Sequence, residues 1–227
     1  MYILHIETST NVCSIALSEG PTCIFSKSND DGMNHAKLLS PFIAEALDFI
    51  KNRNKKIDAI AVSSGPGSYT GLRIGVSTAK GLCYGLDIPL IAVSTLEIMA
   101  VQEISNVEEV ENALFCPMID ARRMEVYTAI YNSKGEIKKE ISAEIINEES
   151  YSDYLENQTV CFFGNGSDKC KQTITHPNAR FISNVVPLAE NMIIPAEKAF
   201  NNKNFEDVAY FEPYYLKEFQ ATTPKKI

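Results

Sequence analysis

Tryptophan is absent from the 227-residue chain, histidine occurs three times, and no apolar run approaches the ~18 residues that a membrane-crossing helix needs. Basic residues are also short. Lys+Arg 21 against Asp+Glu 29 leave a formal charge of -8, which argues against a broad grip on nucleic acid or anionic lipid by this chain alone. If RNA is involved, another molecule is expected to carry it. No basic segment precedes Glu7 in Met1-Tyr2-Ile3-Leu4-His5-Ile6-Glu7, so the start lacks the n-region of a secretory signal and the chain reads as cytoplasmic. Cys13, Cys23, Cys83, Cys116, Cys161 and Cys170 have no C-x-x-C spacing and no adjacent histidine, the pattern of buried thiols rather than of a disulfide framework or zinc site. His5, His35 and His176 have no second His or Cys three to five residues away. A metal centre of the usual nitrogen and sulfur ligands therefore has no support.

What is present is a globular composition, with 45% hydrophobic residues and enough length for one large domain or two small lobes. Ile3–Ile6, Val12–Leu17 and Cys23–Ser26 read as a strand meander turning at Glu19-Gly20-Pro21. A helix over Ala36–Lys51, a buried strand over Ile57–Ser63, a helix from about Thr70 to Leu86, a strand at Leu90–Val93 and a helix opened by Ser94-Thr95 follow. After an acidic stretch, Glu103–Asn112, read as a solvated connector, the order begins again. Leu114–Ile119, Val126–Tyr131 and Ile137–Ile146 are strands, with a hairpin turn at Asn132–Gly135. Glu148–Leu155 is a short helix, and Val160–Phe163 is a strand entering Gly164-Asn165-Gly166-Ser167. That last turn corresponds to Gly65-Pro66-Gly67-Ser68, so the chain reads as an internal duplication: two βββαβα lobes facing a cleft. The expected divisions are 1–102, a smaller lobe over 113–200, and a segment 201–227 packed back on the first lobe.

Gly65 to Gly75 carries the most information, and six of the eleven glycines fall between Gly65 and Gly85. A Gly-rich turn after a buried strand and before a helix points backbone N–H groups at a place for an anion. It is no Walker loop, because Leu72-Arg73 stand where Lys-Ser/Thr is required, and Thr70 spoils the dinucleotide fingerprint. Tight packing without a ligand is the equal alternative. Thr8 and Ser9, at the end of the first strand, could meet phosphates or make ordinary hairpin contacts. With Gly65, Gly67 and Ser68 they form a candidate vestigial phosphate loop. Asp120, before Arg122-Arg123, reads either as a general base or as a turn residue paired with an arginine. Lys51, Arg53, Lys55 and Lys56 form the densest basic cluster, whose default is a solvated loop, with an RNA contact as the minor alternative.

Two apolar stripes run along the first helix: Ala36, Leu39, Ile43, Leu47 and Ile50, and beside them Leu38, Phe42, Ala46 and Phe49. Together they are wider than the ~100° face of a helix buried on one side, so the second stripe needs another cover. Interior helical glycines cost about 1 kcal/mol each relative to alanine, so Gly71 and Gly75 need a compensating close approach. Leu38, Phe42, Ala46, Phe49, Gly71 and Gly75 are the candidate partner interface.

Taken together, several segments resemble the TsaB (YeaZ) family, associated with the threonylcarbamoyladenosine of tRNA. They are Ile6-Glu7-Thr8-Ser9-Thr10, Cys13–Leu17, Gly65–Gly75 with Lys80-Gly81-Leu82, and Val93-Ser94-Thr95-Leu96. Ile119-Asp120-Ala121-Arg122 with Glu125-Val126-Tyr127, Gly164-Asn165-Gly166 and Glu212–Leu216 complete the set. The resemblance implies a duplicated, two-lobed α/β fold of the actin-like, Hsp70-like ATPase (ASKHA) type. It implies a non-catalytic subunit that dimerises with and activates a TsaD-type transferase, with ATP and metal on that partner and no catalytic or metal residue in this chain. Further partners would be a TsaE-type ATPase, a second copy of the chain when alone, and tRNA reached through the complex. Metal-binding members of the superfamily carry H-x-x-x-H, whereas His35 is followed four residues later by Leu39. The competing reading is a stand-alone ATP-dependent phosphotransferase with Thr8, Ser9 and the Gly65 turn around phosphate and Asp120 as base. A peptidase has no support, since no Ser-His-Asp or zinc-ligand spacing is present.

Overall fold

The computed structural model describes residues 1–32, 34–106 and 112–217. β1 (Tyr2–Glu7), β2 (Cys13–Glu19) and β3 (Thr22–Asn29) form an antiparallel meander, followed by α1 (His35–Lys51), β4 (Ala59–Gly65), α2 (Tyr69–Leu86), β5 (Leu90–Ser94) and α3 (Thr95–Asn106). The second series runs β6 (Leu114–Asp120), β7 (Glu125–Asn132), β8 (Ile137–Ile145), α4 (Ser152–Leu155), β9 (Val160–Phe163), β10 (Ala179–Ile182) and α5 (Ile193–Asn201).

The sheets have the orders β3-β2-β1-β4-β5 and β8-β7-β6-β9-β10. In each, the first strand pairs antiparallel with the second and parallel with the fourth. The duplication is therefore present strand for strand. β1 and β4 are central and covered on both faces, which is why Ala59–Val62 of β4 reads as an uninterrupted apolar run, while edge strand β3 alternates exposed and half-buried residues. Phe115, Phe162 and Phe163 are fully buried in lobe 2, each worth roughly 1.5–3 kcal/mol by burial.

The last helix of each series reaches the other sheet, α3 while also packing Ile98 against sheet 1. Leu96, Met99 and Ala100 of α3 pack with Phe115, Cys161 and Phe163 of sheet 2. Ala196 of α5, with Met192 just before it, packs with Ile3, Ala59 and Ile91 of sheet 1. The lobe boundary expected at residue 200 is thus corrected: α5 follows the strands of lobe 2 but covers lobe 1. The inner face of sheet 1 permits this because it is small, with Ala16, Ala59 and Ala61 lying alongside Ile3 and His5.

Beyond α5, Glu206 bridges to Leu90, the Lys80 ammonium donates to the Ala209 and Phe211 carbonyls, and Tyr214 N–H donates to Ser64 O at 2.7 Å. This segment then reaches lobe 2 through a Lys217–Glu125 ion pair. Residues 218–227 of the expected C-terminal segment lie outside the described residues.

Three local expectations are corrected. Glu103 is buried within α3, so the acidic connector does not begin there, and 107–111 lie outside the described residues. The helix expected from Glu148 shortens to the single turn of α4. Cys23, on the edge strand, is exposed, unlike the other five thiols.

Candidate functional site

Thr8 and Ser9 sit where β1 ends, and the turn after β4 carries Gly65, Gly67 and Ser68 against them. The parallel β1–β4 pairing brings the two turns together. A methyl group at Gly67 would lie 2.3 Å from Ser9 O, and Ser68 N–H donates to that same carbonyl at 2.6 Å. At Gly71 a methyl group would lie 2.1 Å from Thr8 O, while the Thr8 hydroxyl donates to Gly71 O at 2.8 Å. Glycine is required here by proximity, since only a residue without Cβ lets the two backbones meet. Thr8 and Ser9 are wholly buried. Of the expected phosphate loop, Gly67 and Ser68 meet Ser9 directly, whereas Gly65 faces Tyr214 and Leu72.

Ser68 caps α2, its side chain accepting from Gly71 N–H at 3.3 Å, so the helix N-terminus is partly satisfied from within. A surface hollow of about 660 Å³ at this end is lined by Ser64, Ala92 and the segment from Glu206 to Tyr215, not by Thr8, Ser9 or Gly67. Tyr214 also covers the turn, its carbonyl 2.9 Å from where a Gly65 Cβ would stand.

Behind the turn lie two buried titratable groups that sequence reasoning left unassigned. Glu7 Oε1 accepts from Ser9 N–H at 2.5 Å, and burial raises its carboxyl to about 7, offset in part by the Ser9 and Ser63 contacts. His5 Nε2 is 3.0 Å from Ser18 Oγ, and burial lowers its ring to about 3. Their place on a central strand, two residues apart, was the available signal that both are covered.

Lobe 2 repeats the closure. A methyl group at Gly164 would lie 2.4 Å from Met118 O, and Asp120 N–H donates to Asn165 Oδ1 at 2.9 Å. Asp120 is a turn residue. Its carboxylate accepts from Arg122 N–H at 3.0 Å and pairs with Lys169, so the expected arginine partner is corrected to a lysine. Among the described residues, no group of three or more His, Cys, Asp or Glu is placed to hold a metal ion. His35 is a structural residue, buried with Nε2 donating to Val12 O at 3.2 Å.

The candidate partner face also changes. Ala46 is fully buried in the chain's own core beside Leu39, Ile43 and Ile50, and Gly71 and Gly75 are buried beneath Thr8. These three are unavailable to a partner. Leu38, Phe42 and Phe49 are half-buried, partly covered by edge strand β3. The Phe25 and Phe49 rings pack tilted with centres 5.2 Å apart, Lys27 lies over Phe42, and Arg53 lies 3.5 Å from the Phe49 ring centre. The glycines of α2 that remain open are Gly81 and Gly85, beside Tyr84, which is 86% exposed.

Fold and site together define a duplicated, two-lobed α/β protein of the actin-like, Hsp70-like class whose phosphate-side turns are closed by its own backbone. A family model described as TsaD, tRNA N6-adenosine threonylcarbamoyltransferase, matches residues 31–224. The tRNA threonylcarbamoyladenosine biosynthesis protein TsaB of Bacillus subtilis is 34% identical over 97% of this chain and 96% of its own. Its Haemophilus influenzae counterpart is 30% identical over 95% and 93%. A solved structure of YeaZ from Pseudomonas aeruginosa superposes with TM-score 0.75 at 27% identity, covering 95% of this chain and 99% of its own. The chain belongs to the TsaB (YeaZ) family.

Proposed function

We propose that this chain is a non-catalytic subunit in the biosynthesis of tRNA threonylcarbamoyladenosine, the modified adenosine beside the anticodon, and that it binds and activates a TsaD-type transferase in the cytoplasm. The observation that supports the reading is the closure of the Gly65–Gly71 turn onto Thr8 and Ser9, where the two backbones meet. ATP and metal belong, in this reading, to the transferase, a TsaE-type ATPase joins the assembly, and the chain pairs with itself when the transferase is absent. Its partner face is the outward side of α1 and α2, around Leu38, Phe42, Phe49, Gly81 and Tyr84, where open glycines let a second helix approach closely. Against the stand-alone phosphotransferase stands the ion pair of its proposed base, Asp120, with Lys169.

Co-elution of the purified chain with a TsaD-type transferase, together with ATP turnover by the chain alone, tests the proposal. A stable heteromeric complex and no turnover by the isolated chain are expected. Turnover by the chain without a complex would return the phosphotransferase to first place.

A further inference from the structure

The turn between β6 and β7 places two successive arginines in left-handed backbone, Arg122 at φ 72° and Arg123 at φ 52°. Residues other than glycine and asparagine take that conformation at a cost, and turns that need it normally use those two. The turn is anchored on both sides. Asp120 accepts from Arg122 N–H at 3.0 Å, Arg122 O accepts from Glu125 N–H at 3.1 Å, and Lys169 joins the Asp120 carboxylate to Glu125 O.

The same contacts use up the nearby acids. Asp120 is paired with Lys169 and Glu125 with Lys217, so among the described residues neither exposed guanidinium has an acidic partner. The four cations and two carboxylates at this turn leave a local excess of two positive charges on a chain whose net charge is -8. Its place is also defined: Lys217 follows Tyr214, which bonds the end of β4, so the turn stands beside the strap that joins the two lobes. The other basic cluster, Lys51 to Lys56, lies at the opposite end of sheet 1, next to the start of β1, where Asp58 N–H bonds Tyr2 O.

We propose that Arg122 and Arg123 are a phosphate-binding pair that takes two backbone phosphates of the RNA substrate once the complex has formed. Guanidinium forks suit phosphate oxygens, and the pair needs no base-specific contact. This inference rests on the function proposed above and adds a direct RNA contact by this chain.

The test measures tRNA affinity against salt for the complex with the transferase, and for the chain alone at low salt. It compares the native pair with Arg122→Asn/Arg123→Gly and with Arg122→Lys/Arg123→Lys. The Asn/Gly variant relieves the backbone cost, so it should fold at least as stably by thermal denaturation and assemble normally. Its tRNA affinity should fall about tenfold or more, with the log–log salt slope shallower by roughly 1.4–1.8, two phosphate contacts' worth. The Lys/Lys variant should keep most of the slope. Unchanged affinity and slope in an assembled Asn/Gly complex would overturn the proposal. An ATP titration separates the sources of phosphate: loss of ATP binding with tRNA binding intact would also overturn it. If no complex forms, the proposed function fails, and the chain-alone comparison at low salt still decides this inference, equal binding by the native and Asn/Gly chains overturning it.

Discussion

A methyl group at Gly75 would lie 2.2 Å from the Thr8 hydroxyl oxygen, and Gly75 is buried where that hydroxyl sits. Gly75→Ala is therefore expected to lower stability by about 1–3 kcal/mol, and Gly75→Leu by more, so the leucine variant disrupts the fold rather than a partner contact. Thr8→Ala removes the clashing oxygen. Placed in that background, Gly75→Ala should cost markedly less than alone, a coupling that a double-mutant cycle in urea measures directly. Additive costs would contradict the packing described. Glycine spacing showed that something approaches α2 closely, but not what, because the approaching turn is distant in sequence and only the parallel β1–β4 pairing brings it there. Glu7 gives a second residue-scale prediction. Its carboxyl is ordinary, near 4.5, in the unfolded chain and raised to about 7 by burial in the folded one. Between those values the unfolded state releases the proton first, so stability falls as pH rises from about 4.5 to 7 and the cost is constant above. The full effect is at most on the order of 3 kcal/mol. Glu7→Gln should thus gain on the native chain between pH 5 and pH 8 in chemical denaturation. His5, whose lowered ring value costs stability only as pH falls below about 6.5, is present in both chains and cancels. An equal difference at the two pH values would contradict the burial of Glu7.

At the scale of elements, the meanders and α1, α2 and β4 were legible because each carries a strong period or an uninterrupted apolar run. β10 and α5 were not. β10 has four residues, and α5 shows one buried face over nine, too short for a pattern to stand out. The width of the apolar face on α1 was read as demanding a second cover, and β3 supplies part of it from within the chain through Phe25 and Lys27. A sequence pattern states that a face is apolar; it does not say which neighbour reaches it. The proposed partner surface therefore shifts toward the exposed end of α2. Tyr84→Asp should change stability by no more than about 0.5 kcal/mol, since the ring is exposed, yet abolish assembly in size-exclusion chromatography. Retained assembly would place the interface elsewhere.

Across the whole molecule, the duplication was visible as two Gly-turn motifs in register, and the sheets repeat it with identical strand order and direction. The exchange of α3 and α5 between lobes was not visible, because small residues on the inner face of sheet 1 permit a helix to dock without specifying which one. Both lobes share glycine turns that meet the backbone at the end of the first strand of their own sheet, and in lobe 2 Asp120 beside that turn is paired with Lys169. The central claim is met most directly by reconstituting threonylcarbamoyl transfer to tRNA from purified components and omitting this chain alone. The proposal predicts no transfer by the chain by itself, and transfer by the transferase, ATPase and ATP that falls to a small fraction when the chain is left out. Equal transfer with and without it would contradict the proposal.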